Sequence, residues 1–221
     1  LTLDTANTYT GGTLVSGGTL FVNNTTGSGT GTGNVTVQTS AILGGAGIIS
    51  GGVLVETGGT IAAGNSIDML TVGSLDLNAG STALFEVGGA TTNDSAGLTS
   101  YQNNPGGFVV PSTWTDYQDG VTNHDHILIT GTEPVINGTV ELTLDSYTPT
   151  FGDVFHLLDW TGLGTTTANG TPVFSLPTLT GLGWDTGLFA SHGIVVVAPE
   201  PARFSLICLA GLAMFLRRRR A

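Results

Sequence analysis

Glycine doublets constrain this chain more than any other feature. Gly11-Gly12, Gly17-Gly18, Gly44-Gly45, Gly51-Gly52 and Gly58-Gly59 punctuate its first third, and 20 of the 35 glycines fall within residues 1–90. Between them lie Thr13-Leu14-Val15, Thr19-Leu20-Phe21-Val22, Ile48-Ile49, Val53-Leu54-Val55 and Thr60-Ile61. Such pieces are too short for an amphipathic helix, whose apolar positions must recur over ten residues or more. Their β-branched and threonine content suits strands, and glycine supplies corners at positive φ. The expectation is an all-β solenoid in which each short strand stacks on its equivalent in the next coil and buries a continuous core.

The pattern changes along the chain. Residues 1–90 read as glycine-rich repeats. Residues 91–125 are rich in Asn, Asp, Ser, Tyr and Gly, include Pro105 and Pro111, and read as a polar loop or insertion. Strands resume at Ile127-Leu128-Ile129, Val135-Ile136, Val140-Glu141-Leu142-Thr143-Leu144 and Val154-Phe155-His156-Leu157-Leu158. Residues 126–198 carry Trp160, Phe174, Trp184 and Phe189, and read as terminal strands and a β-rich cap over an open solenoid end.

Charge is divided sharply. The chain has no lysine, and its five arginines are Arg203, Arg217, Arg218, Arg219 and Arg220. Fifteen of the sixteen acids precede residue 199, where only four histidines can carry positive charge. Nucleic acid is therefore excluded as a partner, because its binding depends on Lys and Arg neutralising phosphates. The lone cysteine, Cys208, precludes an intramolecular disulfide. Leu1 is not a methionine, and no basic n-region followed by an apolar stretch comes after it. The expectation is a fragment or mis-assigned start, with a signal peptide and further repeats upstream.

Residues 199–221 have an order of their own. Pro199, Glu200 and Pro201 come first, then Ala202-Arg203, then an uncharged run over 204–216, then Arg217, Arg218, Arg219 and Arg220. The run includes Phe204, Leu206, Ile207, Leu209, Leu212, Met214, Phe215 and Leu216. As a C-terminal transmembrane helix it would rise roughly 20 Å, short of a hydrocarbon core about 30 Å thick. The arginines would form the cytoplasmic stop. This tail resembles the PEP-CTERM sorting signal of Gram-negative bacteria, a Pro-Glu-Pro tripeptide, a transmembrane stretch and an Arg-rich end. The resemblance implies cleavage near the tripeptide by an exosortase, with the membrane reached through the C-terminal helix. A second resemblance lies in Tyr9-Thr10-Gly11-Gly12-Thr13-Leu14 and Gly17-Gly18-Thr19-Leu20, and again in Gly58-Gly59-Thr60-Ile61 with Gly64-Asn65-Ser66. These stretches are similar to the autotransporter-associated β-strand repeat, which implies a right-handed parallel β-helix in an exported protein.

Chemistry-bearing clusters are sparse, and neither catalytic residues nor a metal site are assigned from sequence. His124-Asp125-His126 is the densest ligand-like group. Alternate strand positions would put both imidazoles on one face, as a metal requires; the reading adopted is a polar loop edge entering the next strand. Asp116, Asp119, Asn123 and Asp125 offer oxygen ligands for Ca²⁺, without the spacing of an EF-hand. The leading expectation is a non-enzymatic structural or adhesive protein of the cell surface or extracellular matrix, with exopolysaccharide among its surroundings. The alternative is a carbohydrate-binding domain, less readily a polysaccharide-degrading one, with Tyr101, Trp114 and Tyr117 stacking on sugar rings.

Overall fold

Burial follows the alternation of the sequence. In Thr82–Val87 the side chains of Ala83, Phe85 and Val87 are buried while those between them are half-buried, and Thr60–Ala63 repeats the same period of two. The computed structural model describes residues 1–115, 123–164 and 167–200. Its strands pass back and forth between two parallel sheets. The first holds, neighbour by neighbour, Thr2–Leu3, Gly18–Val22, Ala41–Gly45, Thr60–Ala63, Thr82–Val87, Thr139–Leu144 and Val173–Ser175. The second holds Thr13–Val15, Val35–Val37, Ile48–Val55, Met69–Leu77, His126–Ile129 and Leu158–Asp159, with Val135–Ile136 also beside Met69–Leu77. Register brings like residues together: Val37, Val55, Leu77 and Ile136 are successive partners, all buried. Leu43, Ile61 and Phe85 of the first sheet share one apolar cluster with these side chains.

A third sheet is antiparallel. It runs Thr92–Asn93, Asp153–His156, Ile194–Pro199 and Leu182–Asp185. Among the described residues three α-helices accompany it: α1 (Ser95–Asn103), α2 (Ser112–Thr115) and α3 (Phe189–His192). The strand Ile194–Pro199 is buried on both faces. Val195 and Val197 enter the main core, while Ile194, Val196 and Ala198 join a second core with Leu98, Tyr101, Trp114, Val154 and Leu188.

The fold is thus α/β with mostly parallel sheets, 43% strand and 12% helical. This corrects the expectation of an all-β, right-handed parallel β-helix or solenoid with a β-rich cap and a C-terminal transmembrane helix. The physical reason lies after Val87. Glycine punctuation marks where strands end, but it says nothing of a segment that carries its own apolar set. Leu98 and Tyr101 stand three apart, on one face of a helix. Asp94 caps that helix, its Oδ1 accepting from the Gly97 amide at 2.8 Å. The stretch read as a polar loop therefore contains α1, α2 and part of a second core. Among the described residues no helix is long and apolar enough to cross a membrane. The tail positions from Pro201 onward, including the run over 204–216 and Arg217 to Arg220, lie outside the described residues.

Candidate metal centre

The main chain passes from the antiparallel sheet to the second parallel sheet at Leu157. His156 is the last residue of Asp153–His156, and Asp159 ends the two-residue strand Leu158–Asp159 beside Leu128. His126 opens the neighbouring strand. Backbone bonds fix this crossing: Leu157 N donates to Gly193 O at 2.9 Å, Ile127 N to Leu157 O at 3.0 Å, and His126 N to Asp68 O at 3.1 Å. Gly193 closes α3 at φ 67°, where a Cβ would meet the Leu158 backbone, so only glycine fits between them. One ligand atom from each of His126, His156 and Asp159 then lies within 4.8 Å of the others. The two rings stand edge to face with centroids 5.1 Å apart. Both histidines are buried and Asp159 is half-buried.

The hydrogen bonds assign the protons. His126 Nδ1 lies 2.6 Å from the His156 carbonyl oxygen. A carbonyl only accepts, so Nδ1 carries the hydrogen and Nε2 holds the lone pair of the neutral ring. His124 Nδ1 likewise donates to Asp125 O at 2.8 Å. Its Nε2 then accepts from the Thr91 hydroxyl at 2.7 Å, and Thr91 Oγ1 in turn accepts the His156 amide at 3.0 Å. His156 differs. It is fully buried, and among the described residues neither of its ring nitrogens has a hydrogen-bond partner.

Burial dominates the electrostatics. It holds His124 down to about 4, with the hydrogen bond to the Asp125 carbonyl opposing it. His126 is pushed down to about 3 by burial and then by the His156 ring. His156 is held down to about 4, again by burial first, with the Asp159 carboxylate and the His192 backbone opposing. Each ring is therefore neutral at ordinary pH, the form in which imidazole binds a metal. Asp125 moves the other way, up to about 7, because burial outweighs the Glu86 and Asp68 amides that donate to its carboxylate at 2.7 and 3.1 Å.

These positions revise several sequence readings. His124-Asp125-His126 is no polar loop edge, since all three side chains are buried. Its two imidazoles serve different neighbours, His124 the Thr91 hydroxyl and His126 the group with His156 and Asp159. Asp125 has both oxygens on main-chain amides and is not held out towards Ca²⁺. Asn123 is exposed and donates to Ala90 O, while Asp116, Asp119 and Tyr117 lie outside the described residues. Trp114 is fully buried and Tyr101 nearly so; neither offers a face to a sugar. Pro199 closes the last strand and Glu200 follows it half-buried. No family model matches the chain, and no curated protein sequence matches it. Sequence reasoning missed His156 and Asp159. The signal was a histidine inside the otherwise apolar strand Val154-Phe155-His156-Leu157-Leu158, a place where an imidazole needs a partner.

Proposed function

We propose that this chain is an exported structural or adhesive protein of the cell surface or extracellular matrix, sorted through its C-terminal signal and processed there by an exosortase. The observation that carries the reading is where the Pro-Glu-Pro tripeptide sits. The strand Ile194–Pro199 pairs with Leu182–Asp185 up to Leu182 opposite Pro199, and the tripeptide begins on that last pair. Proline at a strand end costs no ladder bond that the sheet needs. A cut beyond it would detach the apolar run and the arginine cluster while leaving every described strand whole.

Charge supports the same reading. All positive side chains other than histidine lie beyond residue 202, so removal of the tail leaves a body that carries acids alone. Such a body resists aggregation through self-repulsion and does not bind polyanions. The test is intact-mass spectrometry of the mature protein from a Gram-negative host that carries an exosortase. The wild type is expected to end near the tripeptide, and a variant with Arg217 to Arg220 changed to glutamine to escape cutting. A mature wild-type product that retains residues 202–221 would overturn the proposal.

A further inference from the structure

We propose that His126, His156 and Asp159 form a Zn²⁺ site that ties the antiparallel sheet to the second parallel sheet. The inference is independent of how the chain is sorted. Its starting point is His156. A buried imidazole with neither nitrogen partnered forfeits hydrogen bonds that it would make to water in the unfolded chain. An ion on one nitrogen restores the missing partner.

The surroundings agree. His126 is a buried ring whose Nδ1 hydrogen is held by the His156 carbonyl, which fixes its orientation beside His156. One candidate ligand thus orients the other, as outer-shell carbonyls do at histidine-metal sites. Asp159 brings a carboxylate that offsets the ion's charge. Two imidazoles and a carboxylate suit Zn²⁺, whereas Ca²⁺ and Mg²⁺ select oxygen cages and Cu⁺ selects sulfur. Ligand atoms around tetrahedral zinc lie about 3.4 Å apart, from bonds of about 2.0–2.1 Å. The present spread is within 4.8 Å, so the three ligand atoms draw together on binding. A water completes the fourth position on the half-buried Asp159 side. The role is structural, since the two rings are closed to solvent.

The experiment uses the full chain, stripped with a strong chelator and titrated calorimetrically with ZnCl₂. One ion per chain is expected, with a rise in melting temperature on binding. Co²⁺ in its place should give the visible absorption of a four-coordinate site. His156→Ala and Asp159→Asn should each weaken Zn²⁺ binding at least 100-fold, while His192→Gln changes it by less than threefold. Circular dichroism checks that each variant is folded; if His156→Ala fails to fold, Asp159→Asn decides the question. Absence of stoichiometric Zn²⁺ binding by the wild type overturns the assignment. So does binding that survives Asp159→Asn unchanged.

Discussion

Asn24 uses one buried amide to join two levels of the molecule. Its Nδ2 donates to the Thr26 and Gly27 carbonyls, both at 3.1 Å, and its Oδ1 accepts from the Ile48 amide at 3.1 Å. Asn24→Ala strands all three main-chain groups, and a loss of about 2–3 kcal/mol in urea unfolding is expected; a variant as stable as wild type would show that water replaces the amide. Histidine burial makes a second prediction, for the metal-stripped chain. His124, His126, His156 and His192 are all held below their ordinary value, so near pH 5 the unfolded chain binds protons that the folded chain does not. Stability is therefore lost as pH falls from about 6.5 towards 4. Asp125 opposes this, staying protonated in the fold up to about 7 when the unfolded carboxyl has already ionised, and so gains stability on acidification through the same window. Four groups outweigh one, and the melting temperature should drop between pH 7 and 4.5; a rise would mean that Asp125 dominates. Little of this was legible beforehand. The spacing of Asn24 and Ile48 in the chain does not show that they meet, and a histidine beside an aspartate reads as polar until both are seen buried.

At the level of elements, α1 and α2 depend on a single carboxylate. Asp94 Oδ1 caps α1, and its Oδ2 accepts from the Trp114 indole nitrogen at 3.0 Å. Phe108 lies between the two aromatic anchors, its ring centroid 5.4 Å from Tyr101 and 5.3 Å from Trp114. Asp94→Ala removes the cap and the indole's partner together, with an expected cost of about 2–3 kcal/mol. Trp114→Ala should cost about 3–5 kcal/mol and abolish the near-ultraviolet dichroism of this aromatic group. Denaturation curves that match wild type for both variants would show that the second core contributes nothing. The strands over 13–87 were readable from glycine spacing and from the period of two. The helices were not, because Asn, Ser and Gly mask the three-residue spacing of Leu98 and Tyr101. The cap at Asp94 was in the sequence all the same, four residues before Leu98.

Across the whole molecule, the last strand closes what the first strands begin. Val195 and Val197 share a core with Val15 and Val22, nearly the length of the chain away. Ending the chain after residue 193 should expose both cores and unfold the protein. Ending it after Glu200 should leave the melting temperature within about 2 °C of the full chain. Equal melting of both truncations would refute the closing role of Ile194–Pro199. The sequence made the division between acidic body and arginine tail plain, but not that the final strand lies between two partners, since pairing over such distances leaves no local mark. That strand has a mechanical consequence. Tension on the C-terminal segment enters the fold along Ile194–Pro199, which is bonded on one edge to Asp153–His156 and on the other to Leu182–Asp185. Load along the strand axis shears both rows of bonds at once, so a tethered molecule resists being drawn out with two rows of bonds where an edge strand would have one.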